Sequence, residues 1–296
     1  MSTKTMNLQP KKKISSDKKK AIVKKVIWSA IAIIICFTII FPIIWMLPAA
    51  FKEKRELFVL DDISFFPRKW TFENFTKVFD VDVNGSKFMG AVFMTLLVAL
   101  LATVGSLFVN MLAAYALARI DFKGKKFVWP FLLFPMFVPG ITIMLTSIRV
   151  VNILNMVDTI FVLFVPGLAN GYQIFFFRQF YLNIPNNIEE AAQIDGSSRI
   201  GIFFKIFLPM SVTPMIIIGV GAFMGTWNSF VWPTLTVVDN PALVQVMQII
   251  QTLNDSYSSD YGVVIAATLM SLVIPVIVLS IFQKKIIEGI ALTGTK

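Results

Sequence analysis

The chain has 296 residues, of which 56% are hydrophobic and only 15% charged, with 29 Phe and a formal net charge of +10. Such a composition, with a mean hydropathy of +0.76, is too apolar for a water-soluble globule and predicts an all-α polytopic membrane protein. The absence of histidine excludes His-Glu-x-x-His metalloproteases, triad hydrolases and His-ligated haem.

In chain order, a basic tail (residues 1–25) precedes six charge-free runs, each close to the ~20 apolar residues that cross a bilayer. They are Val26 to Leu47, Met89 to Ala118, Phe127 to Ile148, Thr159 to Phe177, Ile206 to Trp232 and Val263 to Phe282. The membrane-spanning body is thus residues 26–283, and residues 284–296 form a C-terminal tail. The first run is too long for a cleavable leader, and "WMLPAAFKEKRE" (residues 45–56) reads as the end of a span. The single cysteine, Cys36, reads as a small buried apolar side chain. The Lys52 to Lys87 connection, with "FFPRKWTFENFTKVF" (residues 65–79), predicts a small folded element with Trp70, Phe72 and Phe75 at the membrane interface.

Basic residues divide unevenly between alternate connections. One face receives nine from the N-terminal tail, four from Arg119 to Lys126, three from Arg178 to Lys205 and three from the C-terminal tail. The other receives seven from Lys52 to Lys87, one (Arg149) from the third connection and none from Pro233 to Gly262. The positive-inside rule puts the first face, with both termini, in the cytoplasm. The lysine tail then lies against anionic lipid, and nucleic acid is not an expected partner.

The cytoplasmic connection 182–205 carries "NNIEEAAQIDGSSRIG" (residues 186–201). Asn186 or Asn187 is expected to cap a short helix, with Glu189 and Glu190 in its first turn where exposed amides favour negative charge. Gly196 after Asp195 marks a left-handed stop, and Ser197 is expected to cap a second helix running into the fifth span. Ala191 and Ala192 leave room for a partner's backbone, and Glu190 offers it a carboxylate. An interfacial helix would carry Lys or Arg there instead.

Glu190, Ala191, Ala192, Gly196, Ile206, Leu208 and Pro209 stand at the spacing Glu-Ala-Ala, three residues, Gly, nine residues, Ile-x-Leu-Pro. This resembles the signature loop of permease subunits of binding-protein-dependent ABC importers. "WNSFVWP" (227–233), "AAYALARIDFKGK" (113–125) and "KKIIEGIALTGTK" (284–296) are similar to the maltose-type carbohydrate branch. The resemblance implies the type I ABC importer permease fold with six transmembrane helices. It implies a second related permease, two ATPase subunits, an extracytoplasmic solute-binding protein and a sugar substrate, in a bacterial plasma membrane. ATP and Mg would be bound by the ATPase; this chain has no Gly-x-x-x-x-Gly-Lys-Ser/Thr loop and needs no cofactor or metal. Carried over by position, Glu190, Ala191, Ala192, Asp195, Gly196 and Ser197 would form the coupling helix, and Gln283, Glu288, Gly289 and Gly294 would reach the ATPase dimer. "GIALTGTK" departs from the family ending, matching only at Gly289 and Lys296, and "FMTLL" (residues 93–97) stands where the family often has Asn-Ser.

Inside the spans, polar and aromatic groups suited to a sugar are Asn170, Tyr172, Gln173, Trp227 and Asn228, with Thr213 nearby. Tyr172 and Trp227 would stack on pyranose faces; Asn170, Gln173 and Asn228 would bond hydroxyls. Tyr172 and Gln173 point about 100° apart on a helix, so one cavity is not expected to receive both fully. The rival reading is an ATP-independent facilitator or secondary transporter; the lack of any charged residue within a span stands against an ion-coupled carrier, while facilitators without such charges exist.

Overall fold

The structure, a computed structural model, describes residues 16–58, 64–83, 85–256 and 260–293. Among these residues fifteen α-helices run in chain order. First come α1 (Ser16–Ala49), α2 (Lys54–Phe58), α3 (Glu73–Asp80), α4 (Phe88–Arg119) and α5 (Lys125–Leu133). Then come α6 (Gly140–Ile153), α7 (Ile160–Phe164), α8 (Gly171–Leu182), α9 (Asn186–Ile194) and α10 (Arg199–Ile202). The last are α11 (Leu208–Met210), α12 (Val212–Trp227), α13 (Val231–Thr236), α14 (Val246–Ser256) and α15 (Tyr261–Thr293). A two-residue antiparallel pair, Asp82–Val83 with Ser86–Lys87, is the one departure from an all-α fold among the described residues.

Three helices, α1, α4 and α15, are long and apolar enough to cross a membrane unbroken. The other three expected spans are each a bent pair: 109° between Lys125–Phe137 and Gly140–Ile153, 46° between Ile160–Gly167 and Gly171–Leu182, and 78° between Arg199–Met210 and Val212–Trp227. With each pair counted as one crossing the chain has six. Proline explains the bends that hydropathy hides. Val138, forced out of the helical region by Pro139, sits at φ −99, ψ 133. Pro209 has no N–H for the Lys205 carbonyl, and the turn before it loosens into a π-helix over Phe203–Phe207. The ends of the apolar runs also differ from expectation. Helix α1 takes in Ser16 to Lys25, and α15 runs unbroken to Thr293, so the described parts of both tails extend spanning helices.

Helices α4, α8, α12 and α15 pack into the central bundle. Helix α1 lies outside it with its apolar side chains outward, so Cys36 is exposed rather than buried. Two apolar clusters close the bundle, one at each end. Phe88, Phe223, Trp227, Ile249 and Val263 belong to the first; Tyr115, Phe177, Tyr181, Phe203 and Phe207 belong to the second, beside α9 and α10. At the first end Phe51 gathers Trp70, Phe72 and Phe75 at ring distances of 5.4, 5.2 and 4.9 Å, the small folded element expected. Asn74 ties it to the bundle by donating to the Ala50 and Lys52 carbonyls at 2.8 and 2.9 Å.

Asp158 clasps the last connection at this end. Its carboxylate accepts N–H bonds from Val238, Asp239 and Asn240 at 2.7, 3.1 and 3.3 Å, and its own N–H donates to the Thr236 carbonyl at 3.0 Å. Asp158 sits at φ 57, a left-handed conformation that Asp and Asn tolerate better than most residues. We predict that Asp158→Ala lowers stability by about 2 kcal/mol and Asp158→Asn by less than about 1, read as the loss of thermal midpoint in detergent.

Candidate functional site

The docking end. Helix α9 begins after Pro185, and no side chain caps it. Asn186 instead accepts a hydrogen bond from Arg119 of α4. The expected caps are therefore displaced: Asn186 and Asn187 do not cap α9, and Ser198, not Ser197, caps α10 by accepting from the Gly201 N–H at 3.1 Å. Gly196 is at φ +81, and Ser197 N–H to Ala192 O (2.9 Å) with Gly196 N–H to Gln193 O (3.0 Å) closes the left-handed stop. The expected helix, break and helix are present.

The faces of α9 sort the two glutamates. Glu189 is buried, accepts from Gln193 at 3.4 Å, and lies 3.9 Å from Arg119 Nε. Glu190, Ala191, Asp195 and Gly196 are exposed. Ala192 is half-buried against the aromatic cluster, so it packs inward rather than offering the close approach expected of it. Ile194, 86% exposed, and Ile200, 68% exposed, complete an outward surface with an acidic centre and an apolar rim. Sequence reasoning missed these two isoleucines, because Ile in so apolar a chain carries no signal of its own.

Beneath α9 lies the aromatic base. Tyr115 donates to the Arg199 carbonyl at 3.1 Å, and its ring is 5.4 and 4.9 Å from those of Phe203 and Phe207. Ser211, at the bend before α12, donates to the Phe207 carbonyl at 2.6 Å and stands 3.4 Å from the Tyr181 hydroxyl. The α9–α10 segment is thus continuous with the bent lead of α12.

Of the C-terminal residues, Gln283 and Glu288 are exposed and Gly289 is buried. A Cβ at Gly289 would come within 2.7 Å of Ile217 and 2.9 Å of Thr213, so this glycine serves helix packing between α15 and α12 and faces no partner. Gly294 lies outside the described residues.

The cavity. A cavity of about 560 Å³ opens between α4, α7, α8 and α12. Asn170, Tyr172 and Gln173 all lie on its wall, with Ser106, Thr226, Ser229 and Gln245; no charged residue lines it. It receives both Tyr172, 54% exposed, and Gln173, 8% exposed, although their helical positions diverge. Trp227 and Asn228 are not on the wall. Trp227 is 1% exposed and stacks on Phe223 at 5.9 Å within the core, and Asn228 donates to the Met224 carbonyl at 2.9 Å. Gln245, unforeseen on the sequence, reaches the wall because the last connection folds inward, pinned where the Val246 N–H donates to Thr95 Oγ1 at 2.8 Å.

A knot built on Asn110 holds the polar wall. Its amide nitrogen shares two hydrogens among the carbonyls of Ser106 (2.7 Å) and Leu168 (2.8 Å) and Gln173 Oε1 (3.0 Å), while its oxygen accepts the Asn170 N–H (2.8 Å). Leu168 and Asn170 flank the bend in the fourth span, where backbone groups lose helical partners; Asn110, fully buried, replaces them. Asn170 in turn caps α8 through the Gln173 N–H at 3.1 Å.

A broken-helix bundle with an uncharged polar cavity at its centre and an outward-facing helical hook at one end defines the membrane-spanning subunit of a transport system. Residues 110–288 match the family described as "Binding-protein-dependent transport system inner membrane component", and the chain belongs to that family. It is similar to the arabinooligosaccharides transport system permease protein AraQ of Halalkalibacterium halodurans, 29% identical over 265 residues that cover 88% of this chain and 93% of that protein. It is also similar to the diacetylchitobiose uptake system permease protein NgcG of Streptomyces coelicolor, 28% identical over 287 residues, 94% of this chain and 89% of that one. Among solved structures it shares the fold of a chain of a bacterial ABC transporter involved in the import of the acidic polysaccharide alginate, at 22% identity and a TM-score of 0.72, covering 93% of this chain and 99% of that chain.

Proposed function

We propose that the chain is one of two permeases of an ABC importer that passes an uncharged sugar, an oligosaccharide, into a bacterial cytoplasm. The observation that carries the substrate class is the cavity wall, polar yet free of charge. Hydroxyl, amide and phenol groups suit a polyhydroxylated neutral solute, whereas an anionic one would call for Arg or Lys. The names of AraQ and NgcG support the same class.

In this reading Tyr172 offers a sugar an aromatic face, and Asn170 and Gln173 hydrogen bonds. Both termini and α9 lie in the cytoplasm, on the side richer in basic residues. There the outward surface of Glu190, Ala191, Asp195, Gly196 and Ser197 docks on one of two ATPase subunits, which bind ATP and Mg. Gln283 and Glu288 of α15 face the same compartment. A solute-binding protein delivers the sugar from outside. This chain supplies no catalytic group; ATP-driven closure of the ATPase dimer moves α9, and through it the cavity.

The test is uptake of tritiated arabinotriose and diacetylchitobiose into proteoliposomes holding the complete complex. Gln173→Leu is expected to lower uptake about tenfold, with ATP hydrolysis retained, because a buried amide partner is lost from the cavity. Entry of sn-glycerol 3-phosphate with exclusion of both neutral sugars would overturn the substrate class.

A further inference from the structure

Neither the docking surface nor the cavity accounts for Arg119, the last residue of α4. Its side chain is only 6% exposed although it carries a full charge at the end of an apolar helix. Burial of that kind is costly unless the guanidinium is almost fully engaged. Here it joins four elements. One terminal nitrogen donates to Asn186 at the start of α9, and the other donates to the carbonyls of Tyr181 and Ile184 at the end of α8. The guanidinium also lies over the Phe207 ring at 5.2 Å, in the π-helical lead to α12. Of the donors left over, Nε has no hydrogen-bond partner among the described residues and faces the buried Glu189 carboxylate of α9 at 3.9 Å.

These elements are the ones that wall the cavity farther along: α4 at Val98, Ala102 and Ser106, α8 at Gln173, and α12 at Ile218 and Gly221. Arg119 joins all of them to the start of α9, beside the apolar packing of Ile188 and Ala192 on the aromatic cluster. We propose that Arg119 is the positioning residue that converts movement of α9 into movement of the cavity walls, with Glu189 as its partner on the moving helix; this rests on the ATP-driven reading above. A shift of α9 by roughly 1 Å brings Glu189 into hydrogen-bond range of Nε, so this contact is open in this structure and closed in the driven one. Within an aromatic, water-poor shell the carboxylate and guanidinium attract strongly at such range. Lysine retains the charge but lacks the planar fork that spans α8 and α9 together. Glu190, one residue on, faces outward and takes the load; Glu189 passes it inward.

The experiment measures uptake of the neutral oligosaccharide and ATP hydrolysis on the same purified complex in proteoliposomes, so that the ratio is independent of how much complex assembles. Arg119→Lys is expected to hold hydrolysis within about twofold of wild type while sugar moved per ATP falls about tenfold or more. Glu189→Gln keeps an acceptor and the side-chain shape, and is expected to lower the ratio about threefold. Should Arg119→Lys fail to assemble, Glu189→Gln decides the matter. A wild-type ratio in Glu189→Gln, or in assembled Arg119→Lys, overturns the role of Arg119. A wild-type complex that moves sugar without ATP overturns the importer reading, and this inference with it.

Discussion

Glu190→Lys leaves the protein inserted in the membrane and its cavity intact, and reduces ATP-driven uptake about a hundredfold or more. Glu190 is exposed on the outward face of α9 and makes no hydrogen bond or ion pair with the described residues, so their packing has no stake in its charge. Reversing it opposes the basic group that an ATPase groove would present. Losing such a paired charge at an interface costs about 2–5 kcal/mol, and each 1.4 kcal/mol is tenfold in affinity. Gly196→Pro reaches the same end by another route. At φ +81 the position is closed to proline, whose ring fixes φ near −65°, and Gly196 N–H would also lose its bond to Gln193. Membrane insertion measured by protease protection, beside uptake in the same vesicles, checks both variants; normal uptake by both would remove the docking assignment.

Asn110→Leu has the largest expected effect on stability. The amide satisfies the Leu168 carbonyl and Asn170 N–H at the bend of the fourth span and orients Gln173. Leucine fills similar space but leaves two backbone groups unpaired among apolar neighbours, at about 1–3 kcal/mol each. A loss of about 3 kcal/mol or more follows, read as early thermal aggregation of detergent-purified protein. Asn110→Gln, which keeps the amide at a different reach, should recover only part of it. An unchanged thermal midpoint for Asn110→Leu would show that the bend is held by helix packing alone.

What the sequence made legible followed the strength of each physical signal. Charge-free runs located the three unbroken spans and the three bent pairs, and the Gly196 stop with its following helix was readable from glycine chemistry. Hydropathy could not reveal the bends, because a run of apolar residues looks the same straight or angled; the clues were Pro139, Pro166 and Pro209. Trp227 and Asn228 were misjudged because residue type says what a side chain is able to bond, not which way its helix turns it. Trp227 went to the core, while Asn170, Tyr172 and Gln173 reached the cavity wall. Arg119 was read only as one more positive charge. A sharper signal was present: the chain uses lysine for most of its 27 basic residues, and an arginine ending an apolar run answers a need for planar, multidentate donation that lysine cannot meet.

Crosslinking from position 190 tests the central claim, that α9 is the surface an ATPase grips, most directly. Cys36 is the single cysteine and lies exposed on α1, so Cys36→Ser with Glu190→Cys gives one reactive site without disturbing the core. Native membranes are treated with a benzophenone maleimide, which alkylates the cysteine and on irradiation inserts into a neighbouring C–H bond, and the adducts are identified by mass spectrometry, with Trp70→Cys at the opposite end as control. The account predicts an adduct between position 190 and a subunit carrying a Gly-x-x-x-x-Gly-Lys-Ser/Thr loop, absent from the control. Adducts only with lipid or a second copy of this chain, with sugar entry persisting without ATP, would contradict it and make the chain a facilitator.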